Sequence, residues 1–167
     1  MTVASSGSAT LTLPTDEQIQ VVREFAAPKH LVYKAWTTPE LVKRWWNAKR
    51  GEVTVAEIDL RVGGAWRYAM VADGGFEVAF HGEYLEVEPN ERIVTTETYE
   101  GLPEGVSEEE GTTINTATFV EVDGRTVVTL LIQAPNKVSR DAIVASGMEA
   151  GLQDALDLLE EVAISLA

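Results

Sequence analysis

Residues 135–167 read PNKVSRDAIVASGMEAGLQDALDLLEEVAISLA, and the periodicity of this stretch decides the fold. Pro135 and Asn136 end whatever precedes them, and Ser139 is placed to cap a helix by accepting a backbone N–H. Stepped at about 100° per residue, Val144, Met148, Gly151, Leu152, Ala155, Leu158, Leu159, Val162 and Leu166 gather on one side. Glu149, Asp154, Asp157, Glu160 and Glu161 fall outside that stripe. The spacing predicts one long C-terminal helix, and its apolar side must be buried against a large partner.

The sequence upstream supplies that partner as a sheet. Thr113–Val122 and Arg125–Ala134 are apolar, β-branched runs flanking Asp123-Gly124, a hairpin signal. Glu77–Glu88 and Arg92–Tyr99 read as strands separated by Pro89-Asn90. Trp66, Tyr68 and Met70 share one face of a strand that ends at Asp73-Gly74-Gly75. Ala56, Ile58 and Leu60 alternate with Val55, Glu57 and Asp59 in another, and Ile19–Phe25 reads as the first. Between that strand and the rest lie two short helices. Pro28 suits the first position of one, and Thr38-Pro39 opens the other, which ends at Trp45-Trp46. The architecture is α+β, a curved antiparallel sheet of about seven strands wrapped around a long C-terminal helix. Residues 1–17, with Ser5, Ser6, Gly7 and Ser8 in a row, are expected to form a flexible tail, and 18–167 one domain.

Composition removes several function classes. With 45% hydrophobic and 24% charged residues, the 167-residue chain is ordinary for a globular protein and long enough to bury a core. No apolar run reaches the roughly 18 residues that would span a bilayer, so membrane insertion is not expected. The opening MTVASSGSATLTLPTDEQ has no Lys or Arg before its weakly apolar stretch, which is unlike a signal peptide and points to the cytoplasm. The 13 basic residues against 27 acidic ones leave a net charge of −14, which repels nucleic-acid phosphates and anionic lipid. With no cysteine there is no disulfide, thiol nucleophile or thiolate metal site.

Particular segments resemble a known family. The stretch REFAAPKHLVYKAWTTPELVKRWW (23–46) is similar to the opening of the START/Bet v-like (SRPBCC) superfamily, which includes polyketide cyclases and birch-pollen-allergen-like proteins. Together with EIDLRVGGAWRYAM (57–70), HGEYLEVEPNERIV (81–94) and GMEAGLQDALDLLEEV (147–162), it resembles homologues of the activator of the heat-shock-90 ATPase. The resemblance runs from about Ile19 to Leu166 and implies the helix-grip fold. It also implies a cavity between sheet and helix. One departure is Asn47-Ala48, where the family often has Gly-Pro after its Trp pair. Another is the separate chaperone-binding domain of the eukaryotic co-chaperone, for which nothing here is long enough, and which argues against a co-chaperone role.

The catalytic inventory is thin. The chain has two histidines, no close His pair for a metal, no dinucleotide fingerprint and no phosphate loop, so no cofactor or metal is expected. His30 reads as a surface or capping residue. His81 alternates outward if Val78 and Phe80 point inward, unless a bulge near Gly82 flips the phase; the opposite parity of Leu85 and Val87 makes a bulge credible. Glu97 shares parity with Ile93, Thr95 and Tyr99, so it is either exposed, paired with Arg61 or Arg67, or an interior carboxylate with a raised pKa. Asp59 and Arg61 are placed to pair on the surface.

The large, soft side chains carry the remaining expectation. Trp46, Trp66, Tyr68, Met70, Phe80 and Tyr84 could line a cavity, as could Phe119, Met148, Gly151 and Leu152, with His81 and Glu97 as polar members. Each taken singly is more often plain core, and the cavity rests on the architecture that the resemblance implies. The expected function is binding of an apolar small molecule, lipid or polyketide-like, with no catalytic residue assigned. The alternatives are a cyclase or hydrolase using the same cavity, or a module that modulates a chaperone ATPase. A protein partner or a homodimer is compatible with either.

Overall fold

The computed structural model describes residues 9–167. Its strands are β1 (Thr10–Thr12), β2 (Gln18–Phe25), β3 (Gly51–Ile58), β4 (Ala65–Ala72), β5 (Glu77–Glu88), β6 (Arg92–Tyr99), β7 (Thr112–Val122) and β8 (Arg125–Gln133). The helices are α1 (Lys29–Thr37), α2 (Pro39–Trp45), α3 (Lys137–Ala145) and α4 (Met148–Ser165). All eight strands form one antiparallel sheet in the order β1-β2-β8-β7-β6-β5-β4-β3. The sheet has one strand more than expected. The extra one, β1, lies in the segment read as a tail: Thr10–Thr12 pairs with Gln20–Val22, and Ala9 bonds the Gln153 side chain in both directions. Residues 1–8 of that expected tail lie outside the described residues.

The hairpins form where the turn residues require them. Asp123 and Gly124 both have positive φ (53° and 77°), which matches the strand twist of a tight β7–β8 turn. Two register shifts curve the sheet, one between Val53 and Val55 and one between Tyr84 and Glu86. The expected bulge in β5 therefore exists, but at Leu85 rather than near Gly82. Phe80 and Tyr84 keep one face, His81 stays on the other, and beyond the bulge Val87 returns to the core side while Leu85 is exposed.

The C-terminal segment is not one helix. Gly147 sits at φ 84°, a left-handed conformation that L-residues avoid, and it separates α3 from α4. Asn136 is the N-cap of α3, its side chain accepting from the Ser139 N–H, so Ser139 is the capped residue rather than the cap. Val144 is exposed, and the helix that packs on the sheet is α4, which buries Ala155, Leu156, Leu159, Val162 and Ala163. Glu160 also lies on that packed face, although its spacing reads as outward. Its partner is Arg23, which occupies a core-facing position of β2 between Val21 and Phe25 and is only 2% exposed.

Candidate functional site

A pocket of about 680 Å³ lies between the concave face of the sheet and the helices. Its floor descends strand by strand because residues of one parity share a face. Trp66, Tyr68 and Met70 come from β4, and Val78, Phe80 and Tyr84 from β5. Ile93, Thr95 and Glu97 come from β6, with Asn115 and Ala117 from β7 and Leu130 and Ile132 from β8. Met148, Gly151, Leu152 and Ala155 of α4 form the roof, and Trp36, Trp45 and Trp46 close one side. At the rim stand Asn47, Arg50, Asp73 and Phe76, the last 62% exposed.

The pocket persists because small residues stand where large ones would fill it. A Cβ added at Gly151 would meet nothing within 4 Å. Ala117 and Ala155 face the same space from floor and roof. The aromatic side chains in turn brace one another rather than collapse inward. Trp46 meets Tyr68 and Phe80 edge-on, at centroid distances of 5.6 and 5.9 Å, and Trp66 lies 4.8 Å from Tyr68. The Trp66 indole N–H donates to the Thr96 carbonyl at 3.1 Å, and Gly82 makes that possible: a Cβ there would stand 2.6 Å from the indole nitrogen.

Glu97 is the charged group of the floor. Its carboxyl is packed among protein atoms with its open side toward the pocket. Burial pushes it up to about 7 from the usual 4.5, against the opposing effect of a hydrogen bond from Asn115. The Asn115 Oδ1 accepts from the Thr113 hydroxyl at 2.8 Å, which leaves the amide N–H groups to face Glu97. Of the readings open for Glu97, the interior carboxylate is the one found. Arg61 pairs with Asp59 as expected, at 2.9 Å, and Arg67 pairs with Glu100. The Tyr68 and Tyr84 phenols are raised by burial as well.

Ten of the twelve sequence-derived site residues line the pocket: Trp46, Trp66, Tyr68, Met70, Phe80 and Tyr84, with Glu97, Met148, Gly151 and Leu152. Two do not. Phe119 is core, 1% exposed and packed edge-on against Tyr33 and Trp36. His81 is on the outer face, its Nδ1 3.0 Å from Glu100, because the bulge falls after it and never flips its phase. Asn115, Thr95 and Ala117 were missed. Their shared parity with Ile93 and Phe119 was a signal, but it needs the β6–β7 register to be read. Among the described residues no cluster could hold a metal ion, and no helix is long and apolar enough to cross a membrane.

A curved antiparallel sheet closing on a C-terminal helix, with two short helices after its first long strand, defines the START-like, helix-grip class of proteins. Within that class the family is specific: the pattern of the Activator of Hsp90 ATPase homolog 1-like proteins matches residues 26–163, and the chain belongs to that family. No curated protein matches the chain. Among solved structures, a Rhodobacter sphaeroides protein is 22% identical with TM-score 0.84, covering 96% of this chain and 100% of its own. A Mycobacterium smegmatis protein is 22% identical with TM-score 0.80, covering 92% and 96%. A Chromobacterium violaceum protein is 28% identical with TM-score 0.76, covering 89% and 98%.

Proposed function

We propose that this chain binds an apolar small molecule in the pocket between the sheet and α4. The observation that carries this reading is the space beside Gly151. Well-packed interiors leave few voids larger than a water molecule, yet here about 680 Å³ stays open beneath a helix that carries a glycine where it faces the space. The volume falls in the range of small-molecule sites, and the wall is aromatic and aliphatic with a few polar groups. The test is titration with Nile red, a neutral solvatochromic dye. Saturable binding with blue-shifted emission is expected at one dye per chain. Emission that stays at its aqueous wavelength up to the dye's solubility limit would remove the proposal.

A second reading has one observation in its favour. Glu97, Tyr68 and Tyr84 border the same pocket, and a carboxyl near 7 is suited to proton transfer at neutral pH. That arrangement supports a cyclase or hydrolase on an aromatic or polyketide-like substrate. Turnover of such a substrate that Glu97→Gln abolishes would establish it over simple binding. The family description also brings in a chaperone ATPase, and a purified stimulation assay tests that directly; weak stimulation or none is expected.

A further inference from the structure

The pocket has a sign as well as a size. Its charged lining residues are Glu97, Asp73 and Arg50. Arg50, the single positive one, is already engaged: its Nη1 donates to Asp154 at 2.7 Å and to the Ala48 carbonyl at 2.6 Å. Glu97 is different. Among the described residues it takes part in no ion pair, and its side-chain partner is the neutral amide of Asn115. A carboxyl turned into an apolar space with no cation beside it is costly when ionised, unless something brought in from outside neutralises it.

We propose, resting on the pocket reading above, that the preferred occupant is an apolar amine whose protonated nitrogen docks on Glu97, and that apolar carboxylic acids are rejected. Geometry supports the cation twice over. Once ionised, the Glu97 oxygens accept only, which suits an ammonium carrying several N–H donors. Trp46, Tyr68 and Phe80 line the same space, and aromatic rings attract a cation. The carboxyl's position near 7 means that a bound ammonium needs little to hold it ionised at neutral pH. An ionised acid in the same place would bring a second carboxylate against Glu97, and the one Arg of the wall stands at the rim with its Nη1 held by Asp154 and the Ala48 carbonyl, so the charge is repelled at the floor. The net charge of −14 draws cations toward the protein from a distance.

The experiment is displacement of Nile red from the full chain by decylamine, decanol and decanoate, which share one tail and differ in head group. Decylamine should compete at about tenfold lower concentration than decanol, the size of one charge-assisted contact, with decanoate weakest. Glu97→Gln should erase the amine's advantage over decanol, with both competitions referred to the dye affinity of the same variant so that any change in dye binding cancels. Glu104→Gln, on the exposed acidic loop, removes the same charge from the surface and should keep the preference, which separates docking from attraction to the whole protein. Equal competition by all three ligands, a preference for decanoate, or an amine advantage that survives Glu97→Gln would overturn the proposal while the pocket itself stands. Failure of Nile red to bind the wild type is a different result: it removes the pocket reading and this inference with it.

Discussion

Arg23 on β2 donates to Glu160 on α4 at 3.1 Å, in the middle of the interface between sheet and helix. The second Nη reaches Asp157 at 2.9 Å, and Nε donates to the Glu24 carbonyl. The other Glu160 oxygen accepts from the Ala26 N–H at 2.8 Å, so the carboxylate also ties down the chain where β2 leaves for α1. With all these partners present the buried charges are satisfied, and removing one leaves the others stranded.

Glu160→Ala should therefore destabilise the protein by about 3–5 kcal/mol, because Arg23 loses its buried partner and keeps only the more open Asp157. Asp157 is more open, with 33% of its side chain exposed, and Asp157→Ala should cost about 1 kcal/mol or less. Urea denaturation of the two variants makes the comparison. Equal losses would mean that Arg23 draws no particular stability from the buried partner.

Glu97 gives the protein a pH dependence opposite in sign to that of a salt-bridged acid. Its carboxyl sits near 7 in the folded state against 4.5 as an ordinary Glu, because burial penalises the charged form. The folded chain therefore holds this proton more tightly, and the group's contribution is fully present below the unfolded value and lost as pH rises through about 7. The facing groups are Asn115, Thr95, Tyr68 and Tyr84, none of which loses a proton in that window. Glu97→Gln should be near neutral at about pH 4 and stabilising by about 1–3 kcal/mol at about pH 8. Thermal melts across that range check it. A difference between the two proteins that does not change with pH would place Glu97 in contact with bulk water.

Much of this architecture could be read from the chain, and the failures have physical causes. Asp123-Gly124 and the alternation of Trp66, Tyr68 and Met70 are local signals, and both were kept by the fold. The pairing of Arg23 with Glu160 was not legible, because Arg23 breaks the apolar alternation of β2 while Glu160 falls outside the stripe of its helix, and each makes sense only beside the other, 137 residues away. The phase of His81 turned on which residue of β5 is the bulge, a property of its pairing with β6 and not of β5 alone. Gly147 looked like a helix-interior residue because φ leaves no mark on a periodicity plot.

That last error can be tested by sign. Were Gly147 inside a helix, Gly147→Ala would gain about 1 kcal/mol from helix propensity. At φ 84° the same change forces a Cβ into the left-handed region and should instead cost about 1–2 kcal/mol. Asn tolerates that region better, so Gly147→Asn should lose less than Gly147→Ala. No neighbour lies within 4 Å of the added Cβ, so steric contact cannot account for the loss. A melting temperature raised by Gly147→Ala would show α3 and α4 to be continuous in solution.

Gly151 is the sharper case, because here the backbone is helical and only the surroundings are at issue. Glycine inside a helix costs about 1 kcal/mol relative to Ala, and two explanations of its presence compete. If the sheet pressed against the helix backbone at this point, a leucine would overpack the core and cost about 1–3 kcal/mol. The space is instead open, with nothing within 4 Å of the added Cβ and the pocket directly below. Gly151→Leu should therefore leave the melting temperature equal or higher, through gained propensity and a filled void. Nile red affinity should fall at least several-fold as the side chain takes the ligand's room. Gly151→Ala gains the same propensity with one methyl group, and should raise the melting temperature while leaving dye binding nearly intact. Stability and binding thus move in opposite directions only if the void is a binding site. A Gly151→Leu protein that melts well below the wild type, with dye affinity preserved in its folded fraction, would show that the helix and sheet meet here and that the ligand, if any, lies elsewhere.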